Sequence, residues 1–372
     1  MRILHVIATR PQGGIATFLK NMLLRSEPSI TYDFLIGDNI KDSKFDNFIK
    51  EHGSQITVIN SLNKPIQYIK DLNVFFENLP NKHYDIIHIH SPLVFLFNWY
   101  YIKKYTTSII ASHSHSTKYS DSIIGKVRNF PFYCTVKYLS QARFSCSLDA
   151  SKFLYGNKGS VIIKNGIEVD KYKFCENSRN DFRNKLLVVD KFVIGQVGAF
   201  FDVKNHAFMI NLLKEIREYN YEFFSKIVLI FVGDGPNENK IKKLVKKYNL
   251  ANNVIFVGRS DEVCKYYMAF DCFVMPSLFE GVPLAGIEAQ ATGLPCLFST
   301  GISCDVNYNN AFFIDLNKTK EWIFRLEDIY INANIDRPNA YKAIISQGGD
   351  FSSSVKILND AYKKTIEMKK DL

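Results

Sequence analysis

The sequence predicts an α/β protein of two doubly wound domains in tandem. Short apolar, β-rich runs alternate with segments of helical period, the pattern of parallel strands joined by crossover helices. The alternation pauses at a polar, charged stretch over 170–185, read as the linker, and then restarts. A chain of 372 residues is also too long for one comfortable core and suits two.

The first strand is expected at 3–8. Its apolar run is too short for a signal peptide, and Arg10 and Pro11 interrupt it at once. Behind it, Ile15, Phe18, Leu19, Met22 and Leu23 recur at the spacing of one helix face. Further strands are expected at 32–36, 55–59, 86–89, 108–112, 143–146 and 161–163. The stretch 92–101 is of helix length and half-buried in character. Past the linker the expected order is strand 192–198, helix 206–219, strand 227–233, helix 238–248, strand 254–257 and helix 261–270. Strand 272–276, helix 284–292 and strand 296–299 complete the second series. An amphipathic helix over 352–370 has no strand after it.

Composition narrows the function. The chain is 47% hydrophobic and 23% charged, as a globular protein is, and no run of about 18 apolar residues offers a membrane span. The net charge of +10 suits phosphorylated small molecules or an anionic membrane face. No zinc-finger spacing or RNA-binding signature points to nucleic acid. Lys126, Arg128, Lys137 and Arg143 mix with Phe130, Phe132, Tyr133 and Tyr138; this segment reads equally as a membrane-surface helix or an ordinary solvated face. The seven cysteines stand singly, without a CxxC, and are read as reduced core thiols of a cytoplasmic protein.

Ligands of open α/β sheets gather at strand-to-helix turns. The first such turn ends in Gly13 and Gly14, a candidate phosphate or acceptor loop; equally it is a tight packing turn, and its spacing matches neither a dinucleotide fingerprint nor a P-loop. The strongest constellation is 276–295. It runs from a strand end into a helix, with Pro283 suited to the first helical turn and Gly293 to the cap. Glu280 then sits at the strand's carboxyl end and Glu288 on the helix. Two acceptor-only carboxylates so placed can grip vicinal hydroxyls, while Gly281, Val282 and Leu284 offer backbone N–H groups to an anion. The plain alternative is two solvated glutamates flanking a buried helix. His88 with His90 and His113 with His115 follow two strands. Neither pair has a carboxylate or cysteine at ligand spacing, so no metal is expected there. No D-x-D occurs to anchor Mg²⁺ or Mn²⁺.

Residues 276–295 resemble the Glu-x7-Glu signature of family 4 retaining glycosyltransferases, nearest to the capsular and exopolysaccharide branch. The resemblance extends to the Gly13–Gly14 loop, 85–90, 112–115, 163–168, 204–206, 232–235 and 256–259. It implies the GT-B fold, two Rossmann-like domains facing across a cleft. Residues 1–170 would bind the acceptor, 171–351 the nucleotide-sugar, and a helix in 352–372 would pack back on the first domain. It further implies a UDP- or GDP-sugar donor, a saccharide acceptor (lipid-linked, at the inner membrane face), retention of configuration and no metal or other cofactor. Glu288 would hold the ribose and Glu280 the transferred sugar. Lys204, beside Asn205, would neutralise the leaving diphosphate, with Gly233 and Arg259 also at the donor. His113 would approach the donor sugar, with His115 and His90 behind it in rank. One departure stands out: Ala199 occupies the position where the family carries a second diphosphate-binding arginine. That leaves two rivals, a sugar-nucleotide epimerase or phosphorylase of similar fold and a catalytically silent subunit activating a partner transferase.

Overall fold

The structure, a computed structural model, describes residues 1–11, 13–38, 44–79, 83–115, 123–308, 310–332 and 336–370. Gln12 of the first glycine turn, and the side chain of Lys126, lie outside them. The chain divides into two compact units, Met1–Gly166 with Phe351–Leu372, and Ile167–Asp350.

The first unit alternates strand and helix: β1 (Arg2–Ile7), α1 (Gly13–Arg25), β2 (Thr31–Gly37), α2 (Lys44–Glu51), β3 (Ile56–Ile59), α3 (Pro65–Glu77) and β4 (Ile86–Ile89). It continues through α4 (Pro92–Tyr105), β5 (Ile109–Ser114), α5 (Ile123–Leu139), β6 (Ala142–Ser145), α6 (Leu148–Tyr155) and β7 (Val161–Ile162). The strands form a seven-stranded sheet in the order β3-β2-β1-β4-β5-β6-β7. Every pairing is parallel, and β1 aligns His5 with His88 while β4 aligns Ile89 with Ser112. Alternate residues of each strand fill a core on either face, one with Ile3, Ile7 and Phe34, the other with Leu4, Val6 and Ile87.

The second unit opens with α7 (Glu176–Leu186) and β8 (Phe192–Val197). It proceeds through α8 (His206–Tyr219), α9 (Tyr221–Lys226), β9 (Ile227–Val232), α10 (Glu238–Lys247), β10 (Val254–Gly258), α11 (Val263–Ala269) and β11 (Cys272–Met275). Then come α12 (Leu284–Ala291), β12 (Cys296–Ser299), β13 (Ala311–Ile314), α13 (Thr319–Asn332) and α14 (Tyr341–Ser346). Its six-stranded sheet runs β10-β9-β8-β11-β12-β13. Strand β9, IVLIFV, is buried along its whole length; each such side chain contributes about 1.5–3 kcal/mol through burial. The last helix, α15 (Phe351–Lys370), returns to the first unit. It buries Val355, Leu358 and Tyr362 there, and Ser354 donates to the Lys164 carbonyl at 2.8 Å.

The linker reading of 170–185 is corrected. Most of that stretch belongs to α7, docked by charge: Arg183 reaches Asp271 at 2.9 Å and the Ala269 carbonyl at 2.8 Å, and Arg179 also pairs with Asp271. Its polarity is spent on backbone carbonyls and a carboxylate, a use that hydrophobic periodicity does not register. The division between units falls at Gly166/Ile167, a few residues before the expected 170/171, because Ile167 and Val169 are buried in the second core. The cysteines divide too: Cys146, Cys272 and Cys296 are buried, but Cys134, Cys175 and Cys304 are exposed, so only some are core thiols.

Candidate functional site

In each sheet the strand order reverses beside the first strand of its unit, opening a crevice at the strands' carboxyl ends. In the second unit the reversal lies between β8 and β11. From β8 the chain turns through a short 3-10 segment, Asp202–Lys204, and Asn205 takes a left-handed φ of 50° to start α8. From β11 it turns through Ser277 to Glu280. The two loops are tied together, the Leu278 N–H donating to the Val203 carbonyl at 2.8 Å. Lys204 Nζ and Glu280 Oε1 therefore meet at 2.5 Å astride the crevice, with side chains 21% and 18% exposed. Ser277 Oγ donates to the same Glu280 oxygen at 3.3 Å. The Glu280 backbone is pinned in turn, its N–H on Gly301 and its carbonyl receiving the Ser303 N–H, both at 3.1 Å.

Helix α12 begins at Leu284, with Pro283 at the N-cap rather than inside the first turn, and no side chain among the described residues caps it. An uncapped start leaves backbone N–H groups for an anion, beside Gly281 and Val282. Gly293 closes the helix at φ 74°, where a Cβ would meet the Arg337 Cα at 2.5 Å. Between these ends Glu288 is half-buried. Tyr267 Oη donates to its Oε2 at 3.0 Å and Tyr172 donates as well. Burial raises the Glu288 pKa above the usual carboxylate range, and the tyrosine hydrogen bonds partly offset that. Neither tyrosine was read as a site residue: Tyr172 fell in the supposed linker, and Tyr267 is one aromatic on a short helix.

Gly233 packs its backbone against the turn after β8, so closely that a Cβ would lie 2.2 Å from the Gly198 carbonyl oxygen. This close approach brings the β8, β9 and β10 ends together, with the Gly233 N–H donating to Gly258 at 2.8 Å. Arg259 follows β10 and is exposed. Ala199, half-buried, follows Gly198 on that wall.

The two histidine pairs lie in the first unit. His5, His88, His90, His113 and His115 stand on one sheet face from β1, β4 and β5, their rings stacked or, for His5 and His88, tilted, with centroids 4.0–5.5 Å apart. His5 was not foreseen. His90 and His115 line a cavity of about 640 Å³ with Thr9, Arg10, Asp38 and Tyr133. Arg10, also unforeseen, bridges Asp38 at 3.1 Å and Asp46 at 2.5 Å. The sequence ranked His113 above His115, but the structure reverses their access: His113 is 1% exposed and the cavity wall belongs to His115. The helix α1 starts at Gly13, so Gly13 and Gly14 open the helix beyond this cavity's Pro11 edge.

Residues 177–344 match the family model of glycosyl transferases group 1. The chain carries a group 1 glycosyltransferase domain. This glycosyltransferase is 28% identical over 383 residues to the putative glycosyltransferase EpsF of Bacillus subtilis, covering 98% of this chain and 97% of that one. It is also 28% identical over 271 residues to an Escherichia coli UDP-Gal:alpha-D-GlcNAc-diphosphoundecaprenol alpha-1,3-galactosyltransferase, 69% of each chain. Among solved structures, Anabaena HepE in complex with UDP superposes with a TM-score of 0.79 at 16% identity, over 98% of this chain and all of that one. The fold is GT-B, and a further relative, 24% identical over 179 residues, is the amylovoran biosynthesis glycosyltransferase AmsD of Erwinia amylovora, covering 47% of this chain and 48% of that one.

Proposed function

We propose that this glycosyltransferase moves a hexose-type sugar from a UDP- or GDP-sugar to a saccharide acceptor, retaining configuration and without a metal at the diphosphate. The observation that carries the reading is the Lys204–Glu280 pair astride the β8/β11 crevice, beside the uncapped α12 and the tyrosine-held Glu288. A bound donor would place its diphosphate against Lys204 and the α12 start, its sugar hydroxyls on Glu280 and its ribose on Glu288. As the glycosidic bond breaks, negative charge grows on the diphosphate; a cation fixed there stabilises the transition state more than the ground state. The leaving diphosphate itself takes the acceptor's proton.

UDP is favoured over GDP by the names of the relatives: the E. coli protein is a UDP-Gal enzyme and the HepE structure holds UDP. The same E. coli name supports a lipid-linked acceptor. The acceptor is assigned to the first unit's cavity, where Arg10, Asp38 and His115 offer hydrogen bonds. No helix among the described residues is long and apolar enough to cross a membrane. Helix α5 instead exposes Ile124, Val127, Phe130 and Tyr138 beside Arg128, which suits peripheral contact with an anionic inner membrane face.

Ala199 leaves the diphosphate short of the second cation the family pattern supplies. One charge-assisted hydrogen bond is worth about 1.5–3 kcal/mol, or about one to two decades in rate. The test is calorimetry with UDP and GDP, followed by turnover of the bound donor with a lipid-linked acceptor. Nucleotide binding with transfer is expected. No binding of either nucleotide would overturn the reading, and binding without transfer to any acceptor would favour the silent subunit.

A further inference from the structure

We propose that His90, His113 and His115 form a binding site for one divalent metal ion of the zinc class. The assignment does not depend on the transfer reading, since it concerns the first unit alone and can be tested without a sugar nucleotide.

The register of the sheet brings these histidines together. His113 and His115 stand two apart along β5 and its end, so they share a face; His90, at the end of neighbouring β4, shares it too. Two histidines along one strand and a third from the next bring three imidazoles to one point, a ligand set that suffices for zinc. Each of these residues brings a ring nitrogen within 4.8 Å of the others. The sequence could not show this, because neither H-x-H pair has a further ligand near it in the chain.

The donor set and its surroundings fit. Imidazole nitrogens without a carboxylate suit Zn²⁺, Ni²⁺ or Cu²⁺ and not Mg²⁺. Both ring nitrogens of His113 are buried with no hydrogen-bond partner among the described residues, an arrangement that a metal on one of them would relieve. His90 Nδ1 lies 2.9 Å from His115 Nε2, and tetrahedral zinc with bonds of 2.0–2.1 Å needs its ligand nitrogens about 3.3 Å apart. A small opening of that pair admits the ion. The other ring nitrogen of His90 lies 2.7 Å from His5 Nδ1, so His5 would accept its N–H and fix the tautomer.

A second trio, His5, His88 and His90, also converges. It is the weaker candidate. His5 and His88 are fully buried and are not among the cavity's lining residues, whereas His90 and His115 form its wall, by which an ion could enter.

The test uses the full chain, stripped with a chelator and titrated with Co²⁺ as a visible probe, then with Zn²⁺. One Co²⁺ per chain with the absorption of a tetrahedral nitrogen site is expected, displaced by Zn²⁺ and untouched by Mg²⁺. His115→Gln, a half-exposed position that should leave the fold intact by thermal melting, is expected to weaken binding at least 100-fold. His90→Gln should match it, and His5→Gln, acting through His90, should cost about tenfold. Absence of saturable Co²⁺ binding would overturn the site. So would His115→Gln binding like wild type, or His5→Gln abolishing binding that His115→Gln spares. Failure of the transfer reading would show separately, as lost UDP binding in metal-free protein.

Discussion

The two sheets end alike and are furnished differently. At the second sheet's crevice, Glu280, Glu288 and the α12 start all come from one stretch of chain, and Lys204, Tyr172 and Tyr267 are brought in from elsewhere. At the first sheet's end the histidines come singly or in pairs from β1, β4 and β5, and His5 meets His90 across 85 residues. A site written along one turn and helix announces itself as a motif. One assembled sideways across strands exists only once the register is set. The side chains differ as well: an acid paired with a base in one, imidazoles gathered beside the Arg10–Asp38 pair in the other.

The largest expected effect falls on the ion pair. Lys204→Ala should lower turnover by about two to three decades, the usual cost of losing a group that stabilises charge in the transition state; steady-state transfer assays check it. Glu280→Gln should also act mainly on turnover. Asp271→Ala, which strands the α7 guanidiniums of Arg179 and Arg183, should cost about 3 kcal/mol in urea unfolding of the second unit. That result would confirm α7 as structure; an unchanged midpoint would return it to a linker.

Glu288→Gln should weaken UDP binding about tenfold, the scale of one hydrogen bond to a charged group, with little change in turnover at saturating donor. Wild-type behaviour from both glutamate variants would contradict the site. The pH dependence sharpens the point. Burial favours protonated Glu288, so its carboxylate, the form that accepts from ribose hydroxyls, is lost at a higher pH than in an ordinary glutamate. UDP affinity should therefore fall as pH is lowered toward 5, and Glu288→Gln should flatten that fall in calorimetry. The smallest effect separates the two regions: His115→Ala should raise the acceptor KM a few-fold and leave UDP affinity unchanged, whereas equal losses in both would erase the contrast.

Much of this molecule was legible in its residues. The strands through β12, the helices α1, α8, α10, α11, α12 and α15, and the acidic motif all followed from apolar period, glycine and proline placement, and resemblance. Helix α7 was missed because its arginines work on buried carbonyls, and β13 because its alternation is short and half-exposed. Tyr172 and Tyr267 escaped because nothing local marks an aromatic whose hydroxyl will meet a carboxylate.

By itself the sequence determined where the strands through β12 and helices such as α1, α8 and α12 lie, and that Glu280 and Glu288 would flank one helix start, because those are consequences of spacing along a single stretch. Tertiary structure decided which strand lies beside which, and with that the Lys204–Glu280 contact, the tyrosines on Glu288 and the gathering of histidines. Contacts between distant segments depend on strand order and register, which cores and crossover connections set together and no local spacing records.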